Sequence, residues 1–156
     1  RCRASILAVS STPAPPPVPA NARWDTFALR AGAMVSLVFA VPFSVAARWA
    51  ADSRDDSGLA LLLSLGAVVG FVLGAGCAAW IQRLDLPLSH ALLTAIGTYT
   101  VAQVVFIVIR LLRDQDVNWF ASFFNLSVVS GAGLIGGLLG KRLRAKGFLP
   151  STERSS

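Results

Sequence analysis

Ser89 and His90 stand side by side, with Asp85 five residues before the histidine. These are the residue types of a nucleophile, a base and an orienting acid. Their spacing forbids that chemistry, because neighbouring side chains on a helix point about 100° apart and cannot converge on one reacting atom. The sequence has no zinc-ligand spacing, no phosphate-binding loop and no pair of carboxylates set in an apolar run. A non-enzymatic chain is therefore expected, without cofactor or metal. Two other groups could act by binding. Lys141, Arg142, Arg144 and Lys146 form a basic cluster suited to anionic lipid headgroups. Arg48, Arg54, Arg110 and Arg113 alternate with Asp52, Asp55, Asp56, Asp114 and Asp116, and a solvated ion-pair surface is expected there.

The elements that must carry these residues are set by four stretches without Asp, Glu, Lys or Arg: residues 31–47, 57–82, 86–109 and 117–140. About 20 apolar residues cross a hydrocarbon core, so the reading is all-α, with four transmembrane helices in a compact bundle of two helical hairpins. The expected spans are about 27–49, 58–81, 88–111 and 118–140, within a membrane domain over 26–143. A charged fraction of 14% against 54% hydrophobic residues leaves no room for a soluble domain. Residues 1–25, proline-rich over 10–22, are expected to be a disordered tail, and 144–156 a basic, polar one. Residues 6–9 are too short an apolar run for the core of a secretory signal, which leaves the first span as the targeting element. Trp24, Trp49, Trp80 and Trp119 fall at span ends, where indoles anchor at headgroup level. Cys77, among glycines and alanines, reads as a small packing residue, and Pro42 predicts a bend in the first span.

Lipid offers no hydrophobic drive between helices, so small residues should mark the contacts. They are Gly66, Gly70 and Gly74 in the second span, and Gly133, Gly136, Gly137 and Gly140 in the fourth. The third span has two polar faces, one with His90 and Thr94 and the other with Tyr99, Gln103 and Arg110. Two faces imply two neighbours and a central place for that helix. The fourth has one polar stripe, with Asn118, Ser122 and Asn125. In an antiparallel hairpin Gln103 is expected opposite Asn125, and Arg110 opposite Asn118.

Ten of the fourteen Lys and Arg residues lie on the side of the two termini and the second loop. Positive charge is retained inside, so the expected location is the cell membrane, multi-pass, with N- and C-termini cytoplasmic. The basic surface is too small for nucleic acid, and the lipid bilayer with anionic headgroups is the expected partner. No ionisable residue lies in the core of a span, unlike the small four-helix multidrug exporters, whose first helix carries a glutamate.

The glycine-rich second helix, the Pro87-Leu88-Ser89-His90 entry to the third, Tyr99 with Gln103, and the run from Gly136 to Gly140 resemble a family of small four-helix integral membrane proteins of unassigned function in Gram-positive bacteria. The resemblance covers Gly70 to Pro150 and implies a fold and a location but no activity. The membrane subunit that assists assembly of ATP synthase is similar in helix number and glycine content. The expected function is that of an accessory or assembly subunit of a larger membrane complex, with a membrane-protein partner or a homo-oligomer. The alternative is a small oligomeric carrier or channel whose pathway is lined by Tyr99, Gln103 and Asn125.

Overall fold

A computed structural model describes residues 23–54, 57–148 and 150, with the side chains of 52–54 excepted. The proline-rich stretch over 10–22 and the last six residues lie outside it. Four helices follow one another: α1 (Thr26–Arg54), α2 (Ser57–Ile81), α3 (Pro87–Leu112) and α4 (Trp119–Ala145). Each is long and apolar enough to cross a membrane. Leu62, Leu112 and Phe120 are 70%, 80% and 81% exposed, so the outer faces are those of a bundle meant for lipid. α1 runs unbroken through Pro42.

α1 packs on α2 and α3 on α4, as two hairpins, and α2 also packs on α4. α1 and α4 do not pack against each other. α3 packs against all three other helices, in keeping with its two polar faces, and the most extensive helix packing is that of α2. The reason is that α2 has small residues on two sides. A Cβ added at Gly74 would lie 2.5 Å from the Gly32 carbonyl oxygen and 2.8 Å from the Ser36 amide nitrogen, so there the α1 and α2 backbones touch. On the other side a Cβ at Gly140 would lie 2.6 Å from the Gly76 carbonyl, and Gly136 abuts Val72 and Gly76. Gly133 and Gly137 receive Ala95 and Ala91 of α3. Close approach gathers van der Waals contacts that longer side chains would prevent.

These contacts crowd one half of the bundle, the half where α1 begins, α4 ends and the α2–α3 loop lies. Towards the other end the pattern changes. Gly66 meets the ring of Phe43, not backbone, and α4 has no glycine before Gly131. The helices are packed tightly at the terminal end and held apart at the far end.

The terminal end is also tied by polar groups. Asp25 is 2% exposed and lies directly before α1. Its Oδ1 accepts from the amides of Phe27 (3.2 Å) and Ala28 (3.3 Å), capping α1. Its Oδ2 pairs with Arg83 Nε at 3.1 Å and accepts the Arg83 amide at 3.3 Å. The Asp25 amide donates to His90 Nε2 at 2.9 Å, which leaves the proton on Nδ1, 2.9 Å from the Leu86 carbonyl. Gln82, 1% exposed, accepts the amides of Leu84 and Leu86 through Oε1, and Arg144 donates to its carbonyl. Gly147, in the left-handed region at φ +81°, ends α4, with the Phe148 amide reaching back to the Leu143 carbonyl. That turn brings the Phe148 carbonyl to Trp80 Nε1 at 2.6 Å.

Candidate functional site

Where the helices diverge, a cavity of about 600 Å³ opens among all four. Its floor is Ala40, Ala67, Phe71 and Val129, all buried, with the Phe71 ring edge-on to Tyr99 at 6.4 Å between centroids. Below this floor lie the glycine contacts, so the cavity is closed towards the terminal end. The volume falls within the roughly 300–1,000 Å³ of pockets that hold small ligands.

The wall has a polar band. Tyr99 donates its hydroxyl proton to the Ser122 carbonyl at 2.9 Å, and Gln103 Nε2 donates to Ser122 Oγ at 2.8 Å. Asn125 lines the same space and remains exposed. These bonds answer the expected register: Gln103 pairs with Ser122, not with Asn125, one turn away. Arg110 likewise donates to the Asp116 carbonyl at 3.0 Å, while Asn118 accepts the Ala121 amide at 3.0 Å as the cap of α4. The shift has a local cause. Asp114 adopts a left-handed conformation at φ 50°, and the chain to Asn118 is not helical, so α4 starts only at Trp119.

At the mouth are Arg48 and Arg110. The Arg48 guanidinium lies 4.8 Å from the centroid of the Phe106 ring, a cation–π contact between α1 and α3. Phe106 and Arg110 are one turn apart on α3, and both arginines line the opening. Among the described residues no acid lines the cavity. Among the described residues neither arginine has a carboxylate partner. The side chains of Asp52, Asp55 and Asp56, named with these arginines in the expected ion-pair surface, lie outside the described residues.

The other residues singled out in the sequence lie at the terminal end. Lys141, Arg142 and Arg144 are on the last turns of α4 and Lys146 is its C-cap. Lys141 and Arg144 border a smaller hollow of about 450 Å³ with Asp85 and Ser89, and Ser89, Asp85 and His90 make no hydrogen-bonded triad. Sequence reasoning overlooked Arg48 as a cavity residue, because an arginine at a span end reads as a snorkelling anchor. It overlooked Asp25 as well, although an Asp directly before a helix is a recognisable cap signal. Compared with protein families, with curated proteins and with solved structures, the chain finds no match.

Proposed function

We propose that this chain is a non-enzymatic, multi-pass protein of the cell membrane that binds an amphipathic guest in the cavity and acts as a small carrier for it. The observation that carries this reading is the cavity itself: one chain supplies all its walls, a closed floor and a polar band of Tyr99, Gln103, Ser122 and Asn125. An oligomer is then not required to enclose the binding space. The closed floor favours a carrier over an open channel. Both termini are cytoplasmic by the ten-to-four distribution of Lys and Arg, so the cavity opens outward. An accessory-subunit role would rest on the exposed apolar faces, and lipid accounts for those equally well.

The test is binding of a fluorescent fatty-acyl probe to the protein in nanodiscs. Saturable one-to-one binding is expected, lost at least tenfold in Ala102→Phe or Ala121→Phe, each of which puts a ring into the cavity. Unchanged binding by a filled variant that keeps its helicity and melting temperature would reject the reading. A mild-detergent pull-down that yields a stoichiometric protein partner would favour the accessory role instead.

A further inference from the structure

We infer that the guest is a membrane lipid with an anionic phosphate headgroup, held by Arg48 and Arg110 at the mouth while its acyl chain occupies the cavity. The inference rests on the cavity-binding reading and names its ligand class. Charge is the first argument. The mouth carries two guanidinium groups, and among the described residues no acid lines the cavity and no carboxylate pairs with either group. Arginine presents a planar fork that fits phosphate oxygens with two parallel hydrogen bonds. Arg48 is held in place by the Phe106 ring and Arg110 by the Asp116 carbonyl, so both are oriented before any ligand arrives.

Depth is the second argument. Arg48 follows 17 residues without charge and Arg110 follows 24. Trp49 adjoins Arg48 in sequence, and Trp119 opens α4 beside Asn118 at the same mouth. Tryptophans and arginines at the ends of apolar spans sit at headgroup level. A phosphate already attached to a lipid lies at that level, and its chain points the way the cavity runs. The polar band, two turns below Arg110 on α3, suits ester carbonyls, and the Phe71 end suits the hydrocarbon. A soluble anion would use the arginines and leave the apolar floor empty.

The experiment compares phosphatidylglycerol and phosphatidylcholine of identical chains, offered in equal amounts in nanodiscs and counted as retained lipid by native mass spectrometry. Each basic residue near a membrane surface favours anionic lipid by roughly fivefold, so the pair should give a preference of about thirtyfold. Arg48→Gln with Arg110→Gln should abolish that preference while leaving acyl-chain binding. Lys141→Gln, Arg142→Gln and Lys146→Gln together should leave it intact, since that cluster is at the opposite end. Both variants keep the helix-packing residues, and circular dichroism checks their fold.

If the filled variants lose binding but the arginine variant keeps its preference, the headgroup assignment fails and the cavity reading stands. If the filled variants bind as well as the parent, the cavity reading itself fails. Preference lost only with the C-terminal cluster would move the site to the wrong end of the bundle. Competition by millimolar glycerol phosphate equal to that by the lipid would overturn the lipid as ligand.

Discussion

Replacing Asp25 tests whether the terminal end is locked by one carboxylate. The side chain makes four acceptor contacts, two with the first amides of α1 and two with Arg83. Asp25→Ala loses the cap, about 1 kcal/mol, and strips a buried partner from a charged group. Removing one partner of a fully buried pair costs about 3–5 kcal/mol. The Arg83 side chain is 23% exposed and can turn to water, so a total of about 3 kcal/mol is expected. Asp25→Asn should cost about 2 kcal/mol, because Asn caps nearly as well as Asp but turns a donor towards the Arg83 amide. Burial by itself would raise the Asp25 carboxyl. The hydrogen bond from Arg83, the Ala28 amide and the Arg83 charge outweigh it and hold the group below its ordinary value of 3.8. With the folded value depressed, the stabilisation is complete above 3.8 and is lost as the pH falls from there through the lower folded value. Reversible unfolding in mixed micelles, at pH 7 and across pH 5 to 2.5, measures both effects. A neutral Asp25→Ala, or a parent and Asp25→Ala that lose stability in parallel below pH 4, would refute the reasoning.

Gly74→Ala should destabilise by about 1–3 kcal/mol because α1 must move away, whereas Gly97→Ala and Gly131→Ala, with nothing within 4 Å of the new methyl, should stabilise by up to about 1 kcal/mol; thermal unfolding in detergent separates the two classes. Among the described residues the buried Ser36 hydroxyl has no hydrogen-bond partner, so Ser36→Ala should raise stability by about 1 kcal/mol in the same assay. Gln103→Leu should cost about 0.6 kcal/mol and cost nothing further in a Ser122→Ala background. Cysteines at 103 and 122, with Cys2 and Cys77 replaced, should cross-link faster than a pair at 103 and 125. A cysteine at 147 should be labelled by an impermeant maleimide only after the cells are opened; labelling of intact cells would reverse the assigned orientation.

The helices were legible because their signal is local: four uncharged runs long enough for a bilayer leave little choice of element or of count. The small residues that would meet were legible too, but not the partner of each. Gly74 touches Gly32 and Ser36 of α1, and no property of α2 alone selects those two from other small residues of α1. Asp25 was hidden for a related reason. Charge counting puts it in a tail, and its partners Arg83 and His90 lie 58 and 65 residues away. The register of α3 on α4 was lost to a loop, since matched depth assumes helices up to the turn while Asn118 is consumed as a cap. The cavity, by contrast, was present in the sequence as two patterns read separately. In α4 the glycines lie between 131 and 140 and the hydrogen-bonding residues of the site between 118 and 125; in α2 the backbone-to-backbone contacts end at Gly70, before the Phe43 ring intervenes at Gly66. Small side chains draw helices together and large ones hold them apart, while amides and hydroxyls turn away from lipid. Where glycines bring the backbones of α2 and α4 together the bundle closes, and where α4 has no glycine and carries Asn118, Ser122 and Asn125 it opens with those polar groups lining the gap.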